Sequence, residues 1–322
     1  MIRGGARRGL LGFGLAGGLL ALLPGLVAGL GLGSFWTTLG FQIFVWVTLA
    51  VSWNFFSGYS GYASFGHGAF FGIGMYTTAT LLVRGSVPVA LALPMAGVVA
   101  AVLAWLVGLV VFRLPQFRGE LFSLLTLAMT FIVATVVNNV DWLDGGGGVF
   151  LREAPGIAPW TDNNLRLYYA TLAIALLCVY LAYAIYHTRW GQALFAIRDD
   201  EDVADGLGVP TLRYKIGTFA LSAFFAGLVG GPQALFLGYL ETATAFAVTI
   251  PLLALMMAIL GGATVWYGPV LGAVLVTLLR QLLTQGETAE LNQIAIGLVF
   301  ILTILFMPQG LGGLIEARRQ RP

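Results

Sequence analysis

Charge is what this sequence has least of. Only 9% of its 322 residues are Asp, Glu, Lys or Arg, while 59% are hydrophobic; soluble domains carry about 25% charged residues. So few charges could not cover a water-exposed surface of this size. Lipid is the solvent that fits, because an apolar exterior costs nothing there. The net charge of +2 supplies no field for nucleic acid. Lysine occurs once, at Lys215, and cysteine once, at Cys178 inside an apolar run, where it reads as a small packed residue rather than a reactive thiol. Two histidines, His67 and His187, are too few for a histidine metal site, and no other metal set is apparent. A phosphate-binding G-x-x-x-x-G-K-[ST] loop is absent: Lys215 follows Leu212-Arg213-Tyr214 with no glycine loop before it, which excludes ATP hydrolysis by a P-loop in this chain. H-E-x-x-H, cysteine–histidine clusters and G-x-S-x-G are also missing, so the sequence is not read as an enzyme. Carboxylates are scarce at membrane depth. Glu120, Glu241, Glu290 and Arg280 sit near span ends, and the deeper polar groups, Gln42, Asn54, Asn138, Gln233, Asn292 and Gln293, are neutral, so nothing calls for ion coupling.

What is present is a series of apolar runs long enough to cross the hydrocarbon. They predict an all-α polytopic integral membrane protein, a single transmembrane domain over 1–322, with about ten helices: 10–33, 36–56, 66–83, 88–112, 120–138, 166–187, 214–238, 247–262, 266–284 and 291–308. The first run follows Arg7-Arg8 and is longer than a signal-peptide core, so it is read as an uncleaved span. With both termini cytoplasmic, Arg3, Arg7, Arg8, Arg113, Arg118, Arg189, Arg198, Arg213, Lys215, Arg318, Arg319 and Arg321 fall inside or at inner edges. Only Arg84, Arg152, Arg166 and Arg280 fall outside. The positive-inside rule selects that orientation.

Three segments are not ordinary spans. The run 57–74 has glycine at 58, 61, 66, 68, 72 and 74, a poor independent helix. It suits either close packing by a neighbouring helix or a broken helix whose N–H groups meet an anion. His67 within it reads as a polar group hydrogen-bonded at a helix start, or else as a ligand or proton relay. The outside loop, about 139–165, has Asp141, Asp144, four glycines from Gly145 to Gly148, Arg152, Glu153, Pro155 and Pro159, and reads as a connector or a surface for an external partner. The inside loop, about 188–213, gathers Asp199, Asp200, Glu201, Asp202 and Asp205. Asp199 and Asp200 are candidate caps of a short helix, Gly206 and Gly208 its end, and Pro210 its stop. Val203, Ala204 and Leu207 are expected on one face. So long and well-capped a connection predicts a docking element rather than a solvated connector.

Three motifs give the sequence a family resemblance. The run Ser60–Tyr76 (SGYASFGHGAFFGIGMY), the loop from Gly191 (GQALFAIRDDE) to Gly208, and Leu260–Ala273 (LGGATVWYGPVLGA) together resemble the LivM/LivH-type permeases of bacterial branched-chain amino-acid ABC importers, nearer the LivM side. Gln192 and Ala263 stand where that family often has arginine and glycine. The resemblance covers about 40–310 and implies a type II importer permease in the bacterial inner membrane. It would pair with a second, LivH-type permease, with two P-loop ATPase subunits that carry ATP and magnesium, and with a periplasmic binding protein. It makes Arg198, Asp199, Asp200, Glu201, Asp202, Val203, Ala204, Leu207 and Gly208 the coupling contact with the ATPase, where Asp202-Val203-Ala204 to Gly208 is similar to an E-A-A-x3-G core. Ser64, Gly66, His67, Gly68, Gly72, Gly261, Gly262, Gly268 and Pro269 become candidates for the translocation path or its helix breaks. Leucine, isoleucine and valine are the implied substrates, with urea and short amides carried by related systems. An ion-gradient carrier and an uncoupled channel or scaffold are the competing classes.

Overall fold

The computed structural model describes residues 17–26, 34–114, 116–143, 146–151 and 164–284, with Gly29, Ile157, Trp160, 297–298, Ile301, Leu305 and 310–313 besides. In chain order the helices are α1 Gly17–Leu26, α2 Phe35–Trp53, α3 His67–Val83, α4 Val89–Val111, α5 Glu120–Asn139, α6 Asn164–Tyr186, α7 Arg189–Asp199, α8 Glu201–Gly206, α9 Thr211–Leu237, α10 Thr242–Ala245, α11 Thr249–Gly261 and α12 Gly268–Thr284. Six helical stretches among the described residues are long and apolar enough to cross a membrane: Phe35–Gly58, Val89–Val111, Glu120–Asn139, Asn164–Tyr186, Thr211–Leu237 and Thr242–Gly261. The chain is a multi-pass membrane protein. Eight of the expected runs coincide with helices of the structure; the predicted run 291–308 and most of 10–33 lie outside the described residues.

Helix α4 shows how sequence pattern becomes packing. Ala92, Ala96, Ala100, Ala104 and Gly108 recur every fourth residue and are buried, whereas Leu91, Val98, Val102, Trp105 and Val110 are exposed. The small stripe lets α9 approach until a Cβ on Gly227 would lie 2.5 Å from the Ala100 Cβ. That close approach is how apolar helices gain dispersion contacts in lipid, where no hydrophobic force separates protein from solvent. The exposed apolar row suits a lipid-facing side. On its other side α9 packs against α3, where a Cβ on Gly74 would lie 2.0 Å from the Gly227 carbonyl oxygen. Helix α2 is the central member and packs against α6, α9, α11 and α12.

Two short strands, β1 Val149–Phe150 and β2 Tyr239–Leu240, pair antiparallel and tie the 139–165 connection to the end of α9. The Phe150 and Tyr239 rings meet across this pair in a tilted contact with centroids 4.5 Å apart. Of the polar residues expected there, Asp144, Gly145, Arg152, Glu153, Pro155 and Pro159 lie outside the described residues.

The glycine-rich run is broken, not continuous. A π-helical turn, Asn54–Gly58, ends α2; residues 61–65 are non-helical, and α3 starts only at His67, at the level of Ser52 and Ser222 inside the bundle. Irregular backbone at such depth needs protein partners, and neighbouring helices supply them. Trp53 Nε1 donates to the Ser64 carbonyl at 2.8 Å, and Ser123 Oγ donates to the Ala63 carbonyl at 2.7 Å. The Ser64 N–H donates to Ser57 Oγ at 3.1 Å and the Phe65 N–H to Thr126 Oγ1 at 3.0 Å.

Candidate functional site

The loop between α6 and α9 is two helices. Asp199 is the last residue of α7, and Asp200, in extended conformation at φ −160° and ψ 113°, breaks the chain and caps α8. Its carboxylate accepts from the N–H groups of Asp202 and Val203, both at 3.0 Å. This corrects the expectation of one short helix: two adjacent aspartates do different jobs, one closing a helix and one opening the next. Glu201 and Asp202 fill the first turn of α8, where negative charge meets the helix dipole.

The loop grips the bundle at four points. Trp190 Nε1 donates to Thr218 Oγ1 on α9 at 2.8 Å. Arg198 Nη1 donates to the Gly58 carbonyl at 3.0 Å, on the π-helical turn that ends α2. Glu201 turns inward and accepts from both Lys215 on α9 and the Tyr62 hydroxyl. Arg118, just before α5, lies 3.8 Å from Glu201 and donates to Asp202 at 2.8 Å. Lys215 is only 3% exposed, and its ammonium sits 5.1 and 5.2 Å from the Tyr62 and Phe112 ring centroids. The chain's single lysine is thus a buried cation held by one carboxylate and two ring faces. Burial, and then the hydrogen bond to Glu201, pushes the Tyr62 phenol above its ordinary range, which keeps it a donor. Arg118 is raised for the opposite reason: its hydrogen bond to Asp202 favours the charged guanidinium.

A second correction concerns the face of α8. Ala204 is 3% exposed and packs inward, whereas Val203 and Leu207 are 57% and 80% exposed. The outer face is therefore Val203 and Leu207, with Asp202 and Asp205 beside them. Gly208 follows with φ +87° and open space where a Cβ would stand. Gly208→Ala is expected to lower the melting temperature through a strain of about 1–2 kcal/mol. Gly206→Ala meets open space without the positive φ and should leave stability level or raise it slightly. A thermal melt of the purified chain checks the pair, and equal melts would remove strain as the role of Gly208.

The glycines named for the path or its helix breaks stand at close contacts, with Gly66 before the start of α3, Gly262 after the end of α11 and Gly268 at the start of α12. A Cβ on Gly66 would lie 3.0 Å from Met129, on Gly68 3.1 Å from Pro251, and on Gly72 2.4 Å from the Phe246 ring. Gly261 and Gly268 meet backbone to backbone where α11 turns into α12, with Gly262 at φ +105° between them and Pro269 buried beside them. Ser64 Oγ accepts from the Gly66 N–H at 3.2 Å. His67 is fully buried with Nε2 3.2 Å from Ser222 Oγ and 3.5 Å from Ser52 Oγ.

None of those nine residues lines the cavity of about 420 Å³ between α2, α9, α11 and α12. Its walls include Gln42, Trp46, Gln233 and Arg280, the last with its guanidinium carbon 5.6 Å from the Trp46 ring centroid. The signal was in the sequence, since Gln42, Gln233 and Arg280 are rare polar groups in apolar runs. They lie on three helices far apart in the chain, so no motif joins them.

Residues 35–304 match the family described as branched-chain amino acid transport system / permease component. The high-affinity branched-chain amino acid permease LivM of Salmonella typhimurium is 27% identical over 292 residues, 83% of this chain and 67% of that protein. LivH of Escherichia coli is 24% identical over 288 residues, 84% of this chain and 92% of that protein. The fructose import permease FruG of Bifidobacterium longum is 26% identical over 237 residues, 70% of this chain and 68% of that protein. No solved structure matches the chain. With the family match running through nearly all of the described helices, this chain belongs to the permease components of branched-chain amino acid transport systems.

Proposed function

We propose that this chain is the membrane-spanning permease subunit of an ATP-binding-cassette importer in a bacterial inner membrane, with branched-chain or related amino acids as its substrates. In this reading ten spans place both termini and the α7–α8 loop in the cytoplasm and the 139–165 connection in the periplasm. A second permease of the LivH type completes the pathway. Two P-loop ATPase subunits, which hold the ATP and magnesium that this chain has no motif for, dock on α8. A periplasmic binding protein delivers the substrate.

The observation that carries this reading is the two-faced α8. Its inner face is clamped by Glu201 to Lys215 and Tyr62, while Val203 and Leu207 project outward. A helix exposed on one side and rigidly joined to the bundle on the other transmits displacement rather than absorbing it. Tyr62 lies in the non-helical stretch that leads to α3, Arg198 holds the end of α2, and Lys215 belongs to α9. When closure of the ATPases moves α8, three spanning helices are pulled together, which suits alternating access by rigid-body rocking.

The test is gentle detergent purification from the native membrane. P-loop ATPases and a second permease of similar composition should accompany the chain. The chain alone, while an intact ABC control stays assembled in the same detergent, would favour an ion-gradient carrier. The amino-acid assignment is checked by uptake of radiolabelled leucine against fructose, the cargo in the name of one relative, and against urea.

A further inference from the structure

We infer that the cavity between α2, α9, α11 and α12 is a substrate site that takes an amino-acid zwitterion, with its carboxylate on Arg280, its ammonium on the Gln233 side-chain oxygen and its alkyl group against the apolar wall. This deepens the importer reading and rests on it.

The cavity's volume, about 420 Å³, lies within the range of about 300–1,000 Å³ typical of small-molecule pockets. Arg280 is the only charged residue among the described residues of its lining, and the guanidinium lies over the Trp46 ring. A ring beneath the guanidinium face fixes its plane, and a planar fork of N–H groups matches the two oxygens of a carboxylate. Gln233 Oε1 is buried without a hydrogen-bond partner. A buried acceptor left without a donor is costly, so such an atom in a cavity wall marks a place for a donor from a ligand. An α-ammonium supplies one.

Gln42, Thr244 and Thr249 add further polar groups to the lining, and Val45, Leu49, Phe71, Met75, Ile250 and Leu253 give it an apolar part. That part favours an alkyl side chain. An inorganic anion would leave that apolar part empty. Ala243 lines the cavity too and is exposed, so it stands where a reagent can report occupancy.

The experiment uses the complete importer in lipid nanodiscs, carrying Ala243→Cys; the chain's own Cys178 is buried. The rate of modification by a methanethiosulfonate reagent is measured with L-leucine, with L-leucinamide, which lacks the carboxylate, and with 4-methylpentanoate, which lacks the ammonium. Leucine should slow labelling about tenfold and each analogue less than about twofold, since each loses one charge-assisted contact. In proteoliposomes Arg280→Gln should cut leucine uptake by about tenfold or more, with part of it kept by Arg280→Lys, which retains charge without the fork. If Arg280→Gln does not assemble, the labelling series on the chain with Arg280 intact decides. Equal protection by leucine and leucinamide, or no protection in an importer that carries leucine, overturns the site and leaves the importer reading standing. An assembled wild-type importer with no ATP-driven leucine uptake overturns both.

Discussion

Glu201→Lys is expected to abolish ATP-driven uptake and to lower the melting temperature of the purified chain. The carboxylate it removes is the counter-ion of Lys215, a cation 3% exposed and enclosed by the Tyr62 and Phe112 rings. Removing one partner of a buried ion pair typically costs about 3–5 kcal/mol, because the other charge is left without compensation. The reversal adds repulsion from Arg118, which stands 3.8 Å from the same carboxylate. Asp202→Lys makes the contrast. Asp202 is exposed, its partner Arg118 is also solvent-facing, and such surface pairs contribute about 0–1 kcal/mol. Replacing both members, Glu201→Met with Lys215→Met, should restore much of the lost stability, since a well-packed apolar pair is often no worse than a buried ionic one. Uptake is not expected to return with it, because the tie to Tyr62 stays broken. Thermal melts of the wild type, Glu201→Met, Lys215→Met and the double variant, set out as a double-mutant cycle, read the pair directly. A Glu201→Lys protein that melts with the wild type would remove the anchor and with it the route from α8 to the spans.

How far the sequence exposed this arrangement depends on the range of the physics involved. Apolar runs fix spans by length alone, so α4 and α9 fall close to the ranges 88–112 and 214–238 read from composition. Glycine is ambiguous at that level. Gly72 and Gly74 fit a helix break or a close approach equally well, and only three-dimensional neighbours, the Phe246 ring and the Gly227 backbone, decide for packing. The phase of α8 was illegible for another reason. In a helix of six residues hydrophobic periodicity has barely begun, and Ala204 is small enough to suit either face. Burial is set by Glu201, whose inward turn follows from Lys215 fourteen positions away. The cavity is less legible still, since Gln42, Gln233 and Arg280 come together only when α2, α9 and α12 pack.

Under the proposed importer reading, Leu207→Asp is expected to separate the chain from the ATPase subunits while leaving its own stability unchanged. Leu207 is 80% exposed, and Val203 lies four residues earlier on the same helical face. Surface substitutions away from packed contacts usually shift stability by no more than about 0.5 kcal/mol, so the melt of the purified chain should match the wild type. In the proposed assembly the ATPase would cover that side chain, and full burial of a leucine is worth about 1.5–3 kcal/mol. Losing that contact and placing a carboxylate in the interface should lower the ATPase that co-purifies by about tenfold or more, since each 1.4 kcal/mol is a factor of ten. ATP-driven uptake should fall with it, and Val203→Asp should act in the same direction by a smaller amount, as its side chain is less exposed. An ion-gradient carrier makes the opposite prediction, because α8 would then face only water and neither variant would alter transport. Glu201→Lys damages the chain under both readings, whereas Leu207→Asp damages it only when something docks on α8. The outward face of that helix is therefore where the two mechanisms divide, and unchanged uptake by Leu207→Asp would reject the docking role.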